Sequence, residues 1–285
     1  MKPKILMIQG TSSGAGKSLM VTALCRILSN KGYKVAPFKS QNMSSYIFKI
    51  GNSDKIIAQA QAIQALGARA RPDVRMNPIL LKPIGNYESE VYLCGEFFSK
   101  MTSREYYTNF VLEKGFKLAL DAFKSLKKEN DIILLEGAGS PAEINIMKYD
   151  IANMLLAKKV KAPVILVADI ERGGCFASIL GTLLLLKPKH RELIKGILIN
   201  KFRGDKQILA PAIKRIESKT KKPILGVIPK LNHNIPEEDT LDGHKKTNGT
   251  NHTKKPEVIN TEIDKVSKLI ESTINIEYIL RYILK

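Results

Sequence analysis

Apolar and polar positions fall into short blocks that alternate in kind. Residues 5–9 form an apolar run of strand length, and residues 17–30 place Leu19, Ala23, Leu24, Ile27 and Leu28 on one helical face, with Gly32 just past the end. Residues 34–39 predict a second strand, the Ala- and Gln-rich residues 54–70 a helix, and residues 79–82 and 90–94 a pair of shorter strands. A long helical stretch is expected over 103–128. Four stronger strands follow at 132–136, 164–169, 196–200 and 224–228, each apolar nearly throughout, as in a parallel sheet covered on both faces. Helical patterns at 151–159, 176–186 and 208–219 fill the gaps. Strand and helix in alternation predict an α/β fold with a mostly parallel central sheet.

The pattern breaks at residues 242–256, which are rich in Asn, Thr, Gly, His and Lys and read as a polar linker. A helical pattern then resumes with Ile263, Val266, Leu269, Ile270, Ile274, Ile279 and Ile283. The expected organisation is one domain over 1–241, a linker over 242–256 and a C-terminal helix over 257–285.

Composition adds a charge argument. A net charge of +19 attracts anions, whether nucleotides, polycarboxylates, nucleic acid or an acidic partner. Aromatic residues are 6% of the chain and Trp is absent, which argues against a reader of single-stranded nucleic acid. Cys25, Cys94 and Cys175 form no CxxC pair, and His190, His233, His244 and His252 show no ligand spacing. Neither a disulfide framework nor a zinc site is expected, and a reducing cytoplasm is. No leader is evident, and the longest apolar runs are too short for a bilayer, so no membrane partner is expected.

The strongest chemical signal is Gly10-Thr-Ser-Ser-Gly-Ala-Gly-Lys17-Ser18, placed after one strand and opening one helix. Glycines let backbone N–H groups curl inward around phosphate oxygens, and the helix N-terminus adds partial positive charge. Gly10, Thr11, Ser13, Gly14, Ala15 and Gly16 would line the nucleotide phosphates, Lys17 would reach the β- and γ-phosphates, and Ser18 would bind Mg²⁺. The fold expectation therefore sharpens to a three-layer, P-loop NTPase-type architecture with ATP and Mg²⁺ as cofactors. Five residues separate Gly10 from Gly16, where the common pattern has four.

Ligands in open α/β sheets sit outside the carboxyl ends of the strands. The residues found there include Lys39, Gln41 and Asn42; Glu136-Gly-Ala-Gly139; Asp169, Glu171 and Arg172; and Asn200, Lys201, Arg203 and Asp205. Glu136 suits a Mg²⁺ ligand, because that ion takes one or two carboxylates beside phosphate oxygens and water. Asp169 could do related work, and Asp54 is a further candidate ligand that could equally cap the helix after it.

Taken together, these residues resemble the cobyric acid synthase family of corrinoid biosynthesis. The matching stretches are the phosphate loop, Ala36-Pro-Phe-Lys-Ser-Gln-Asn-Met43, Ala58-Gln-Ala-Gln61, Met76-Asn-Pro-Ile-Leu-Leu-Lys-Pro83, Glu136-Gly-Ala-Gly-Ser-Pro-Ala-Glu-Ile-Asn145, Asp150-Ile-Ala-Asn-Met154, Val167-Ala-Asp-Ile-Glu-Arg-Gly-Gly174, Ile199-Asn-Lys-Phe-Arg-Gly-Asp205 and Pro236-Glu-Glu-Asp239. The extra loop residue is shared with dethiobiotin synthetase and cobyrinic acid diamide synthase. The resemblance implies an ATP-dependent carbon–nitrogen ligase: a corrinoid carboxylate is phosphorylated and ammonia displaces phosphate to leave an amide. It implies catalytic roles for Lys17, Lys39, Glu136 and Asp169, substrate contacts from Lys39, Gln41, Asn42, Lys82 and Arg172, and an adenine contact from Asn200. The family's glutaminase domain does not fit in the residues after 241, so ammonia is expected from solution or from a separate glutaminase subunit. After Asn42-Met43 the chain reads Ser-Ser-Tyr-Ile-Phe-Lys, which departs from the family. A different carboxylate substrate, or dethiobiotin synthetase-like chemistry, is the alternative. A partition-type ATPase switch fits less well, because residues 11–13 are Thr, Ser and Ser where those switches carry an extra Lys. Oligomeric state is not set by the sequence, and a homodimer is compatible with it.

Overall fold

The computed structural model describes residues 3–236 and 256–284. The expected linker thus lies outside the described residues, apart from Pro256, which opens a helix. The strands are β1 (Lys4–Gly10), β2 (Val35–Phe38), β3 (Gln41–Met43), β4 (Ile47–Lys49), β5 (Ile56–Ala58), β6 (Ile79–Gly85), β7 (Glu88–Leu93), β8 (Glu96–Thr102), β9 (Ile132–Glu136), β10 (Val164–Asp169), β11 (Ile194–Phe202) and β12 (Ile224–Pro229). The helices are α1 (Lys17–Asn30), α2 (Gln59–Gly67), α3 (Ser103–Glu105), α4 (Phe116–Glu129), α5 (Met154–Val160), α6 (Cys175–Leu185), α7 (Pro188–Arg191), α8 (Lys206–Thr220), α9 (Pro256–Glu271) and α10 (Ile276–Tyr278).

Six strands form the central sheet in the order β12-β11-β10-β1-β9-β2, every neighbouring pair parallel. The period of two along β1 explains the three layers. Leu6 and Ile8 face a core built with α1 and α9 (Met20, Leu24, Ile27, Ile263, Ile270), while Met7 faces one built with α4, α5 and α6 (Phe123, Leu156, Ile179). Fully burying such a side chain contributes about 1.5–3 kcal/mol, so each layer holds the sheet strongly. Among the described residues no helix is long and apolar enough to cross a membrane.

The expected strand pair is part of a second sheet, β3-β6-β7-β8. Its hairpins turn on Asn86-Tyr87 and Cys94-Gly95, all at positive φ, the geometry of tight two-residue loops. The edge strand β8 carries exposed Phe97 and Phe98, so it lacks the alternation that would have revealed it.

Three expectations about helices need correction. The helix expected over 54–70 begins at Gln59, because residues 56–58 pair with β4 and bind elsewhere as strand: the Ile56 N–H donates to Gly95 O at 3.0 Å and the Ala58 N–H to Asn77 Oδ1 at 3.1 Å. The stretch over 103–128 is helical but passes through wider, π-type turns at Tyr106–Gly115. The C-terminal helix is interrupted. After α9 the chain runs antiparallel beside β12, where Ile274 bridges Gly226 and the Asn275 N–H donates to Leu225 O at 3.0 Å. A Cβ on Gly226 would lie 2.5 Å from Thr273 O, so glycine is what lets this segment cover the sheet edge.

Arg26 is fully buried in α1. Its Nε donates to Gly67 O and one Nη to Leu66 O, each at 3.0 Å, while the guanidinium also meets Asp264 and Asn260 of α9. One side chain thereby closes the carbonyl end of α2 and holds α9 in place. Arg26→Met keeps the stem but leaves these acceptors unmatched. We expect a loss of about 2 kcal/mol, read as a lower urea midpoint at unchanged slope. An unshifted midpoint would mean that α9 is held by its apolar face alone.

Candidate active site

The phosphate loop leaves β1 and enters α1 without a side-chain cap. Gly14 and Gly16 stand at φ 70° and 99°, and a Cβ on Gly16 would come within 2.1 Å of Asn200 Nδ2. Glycine is therefore required there on both conformational and steric grounds. Lys17 Nζ donates to the carbonyls of Ser12 and Gly139, each at 3.0 Å, joining the loop to the Gly137–Gly139 turn after β9.

Glu136 is fully buried at the carboxyl end of β9. Its Oε1 accepts from Ser18 Oγ at 2.8 Å and from Lys39 Nζ at 2.9 Å, and its Oε2 accepts from Gln64. A relay of carboxamides continues outward: Gln61 Nε2 donates to Gln64 Oε1 at 3.5 Å, and Asn42 Nδ2 donates to Gln61 Oε1 at 2.9 Å. All four side chains are buried. The structure thus brings together Lys17, Ser18, Lys39, Asn42 and Glu136 from the sequence-based set. Gln64 was missed, although Gln61 and Gln64 recur at helical spacing in an Ala-rich helix, which is the available signal.

Other expected residues take different places. Asp169, at the end of β10, pairs with Lys201 Nζ at 2.9 Å and accepts the Glu171 N–H at 2.8 Å. Asn200 donates from Nδ2 to Ala15 O at 2.9 Å, so this edge of its amide grips the loop. Gln41 accepts from Tyr106 Oη at 2.8 Å. Lys82 stands on the second sheet, paired with Glu90 at 3.3 Å. Asp54 does not join the cluster: it is exposed in the turn between β4 and β5, paired with Lys49 at 3.1 Å, and the helix it was expected to cap starts five residues later. Among the described residues, no three His, Cys, Asp or Glu side chains gather as a metal site. Ser18 Oγ and Glu136 Oε1 are nevertheless hard oxygen donors side by side, which fits an ion that takes few protein ligands.

A cavity of about 360 Å³ opens beside the loop. Gly14, Gly16, Lys17 and Ser18 line one part, with Asn200, Lys201 and Arg172 nearby. Leu231, His233, Ile235 and Pro236 supply a more apolar wall, of which the sequence had pointed only to Pro236, through its family-like stretch. That wall is tied to the C-terminal helix, since Glu262 accepts the Asn234 N–H at 3.1 Å. Polar backbone at one side and apolar side chains at another suit a ligand with a charged and a flat apolar part.

Burial pushes the Cys175 thiol up to about 11 and the Cys25 thiol higher still, so neither is an activated nucleophile. Asp150 is pushed up to about 6 by burial, against hydrogen bonds from Asn153 and the Ala152 N–H. Asn153 bridges Asp150, at 2.8 Å, to the Ala138 carbonyl in the turn after Glu136.

The family model described as the CobQ/CobB/MinD/ParA nucleotide binding domain matches residues 6–240, and the chain belongs to that family. Its more particular resemblance, to cobyric acid synthases, is borne out by curated relatives. The chain is 50% identical over 253 residues to the probable cobyric acid synthase of Thermococcus kodakarensis, covering 87% of this chain and 51% of that protein. It is 52% identical over 236 residues to the cobyric acid synthase of Caldanaerobacter subterraneus subsp. tengcongensis, covering 82% and 46%. The chain spans about half the length of the curated relatives it matches. Among solved structures it is similar to the signal recognition particle receptor FtsY of Elizabethkingia anophelis in complex with GDP, at 15% identity and a TM-score of 0.46, covering 80% of this chain and 57% of that one. That likeness is too slight to carry an argument.

The raised Asp150 pKa predicts a pH-dependent stability. The folded state holds the proton more tightly than the unfolded state, so this group's contribution falls as pH rises from the ordinary value of 3.8 through about 6 and is level above that. Asp150→Asn should flatten this step, seen as a smaller change in urea midpoint across that window. An identical pH dependence in the variant would refute the assignment.

Proposed function

We propose that this chain uses ATP to activate a side-chain carboxylate of a corrinoid, which ammonia then converts to a carboxamide. The family resemblance suggests the conversion of adenosylcobyrinic acid a,c-diamide to cobyric acid. The observation that carries the reading is the Ser18–Glu136–Lys39 cluster at the mouth of the phosphate loop. It sits in a chain about half identical to cobyric acid synthases.

A carboxylate is a poor electrophile because its leaving group would be an oxide. Its oxygen would attack the γ-phosphorus of ATP, ADP would depart, and the resulting acyl phosphate would offer phosphate as leaving group. The ammonia nitrogen would then form the C–N bond as the C–O bond to phosphate breaks, and the proton it sheds would leave on the phosphate. Lys17 and the loop amides would neutralise charge that builds on the phosphoryl oxygens. Ser18 and Glu136 would hold a magnesium ion, which would offset phosphate charge when bound. Lys39 places a second cation against Glu136. Arg172, which lines the cavity, would meet a substrate carboxylate. Asn42, through the carboxamide relay, would pass the position of a bound substrate to Glu136. Ammonia would come from solution or from a separate glutaminase.

The test supplies ATP, magnesium, ammonium and cobyrinic acid diamide to the purified chain. Corrinoid-dependent ADP release and amide products by mass spectrometry are expected. Lys17→Ala should lower turnover about a hundredfold or more. ATP hydrolysis indifferent to the corrinoid, with no amidated product, would overturn the proposal.

A further inference from the structure

The loop is one residue longer than the common pattern, and two of its peptide units are held from outside. A trans peptide unit points its C=O and the following N–H in opposite directions. Asn200 Nδ2 holds the Ala15 carbonyl at 2.9 Å, and Lys201 Nζ holds the Gly14 carbonyl at 2.7 Å. The N–H groups of Gly16 and Ala15 are thereby turned the other way.

Consecutive residues of a regular strand project to opposite faces, so Asn200 and Lys201 would not ordinarily reach the same loop. Here Lys201 has φ 61°, in the left-handed region, and the pairing of β11 with β12 is irregular between Ile199 and Phe202. This is how a β-bulge re-aims a side chain. A lysine at positive φ is strained, and such strain persists where the surroundings fix it. The fixing partner is Asp169 of β10, whose Oδ2 lies 2.9 Å from Lys201 Nζ and whose strand position pairs with Asn200. Because Asp169 balances its charge, Lys201 adds little net attraction for an anion; what it supplies is geometry.

We propose that Lys201, held by Asp169, is a positioning residue that presets the Gly14–Gly16 backbone for phosphate. This rests on the reading of the loop as the triphosphate site. It is tested by measuring dissociation constants of ATP, ADP and adenosine calorimetrically on the full chain, with thermal midpoints to confirm folding. Lys201→Met should weaken ATP and ADP about tenfold while leaving adenosine unchanged. Asp169→Asn should act in the same direction, and the double variant should fall short of the combined effects. Unchanged ATP affinity in Lys201→Met overturns the proposal, as does an equal loss for adenosine, which would signal general loosening. Tighter ATP binding in Asp169→Asn also overturns it, because a lysine freed toward the phosphates would be a direct ligand. Lys17→Ala separates the two levels: if it weakens ATP and Lys201→Met does not, only the positioning role fails. If Lys17→Ala leaves ATP affinity intact, the reading of the loop falls and this role with it.

Discussion

The arrangement of this molecule turns on a carboxylate removed from water. Burying Glu136 would cost several kcal/mol without partners. Lys39, Ser18 and Gln64 all donate to it, and they come from the end of β2, the start of α1 and the middle of α2. The group therefore constrains three elements at once. It also constrains sheet register, because Glu136 lies opposite Ile8 on β1 while Leu135 lies opposite Phe38, one residue before Lys39. A slip of one residue would turn the charges to the other face and leave each buried alone. The same contacts that gather at the mouth of the phosphate loop thus help define the fold.

Much of the fold was legible in the sequence because the central strands are buried on both faces. Residues 132–136 and 164–169 read as strands without ambiguity and are strands to the residue. The phosphate loop was legible because its chemistry is local: glycines, a lysine and a serine in fixed order. The second sheet was only half visible. Its edge strand exposes Phe97 and Phe98, and its turns place Asn86, Tyr87 and Cys94 at positive φ, where only Asn and the neighbouring Gly95 would have signalled a turn. The onset of α2 was misplaced because Ile56 and Ile57 suit either state, and Gly95 and Asn77, distant in sequence, decide for strand.

Within the site, the residues that were legible stand next to a motif, and those that were not act through another residue. Glu136 and Lys39 end strands, so the rule for α/β sheets finds them. Gln64 lies where a side chain has no evident target until the chain is folded, and Lys201, found by the same rule as Glu136, gave no sign of which group it would meet. Asp54 shows the reverse error: an acidic residue before a helical pattern, yet the intervening strand carries it into an exposed turn. A carboxylate's type and local context do not say which way the chain runs next.

Internal pairing also separates two roles of positive charge. Lys39 meets Glu136, Lys201 meets Asp169, and both Arg203 and Lys230 meet Glu171. Four cations meet three carboxylates, so most of this positive charge is offset where it stands and shapes the site more than it charges it. In the proposed function, grip on a polyanion would rest on Lys17 and on peptide dipoles already turned into place, which need little rearrangement as charge develops. The net charge of +19 acts at longer range, where it raises the frequency of encounter with anionic ligands and is weakened by salt. Affinity set by oriented dipoles and encounter set by diffuse charge are physically distinct, and under the proposed function this fold would keep them in different residues.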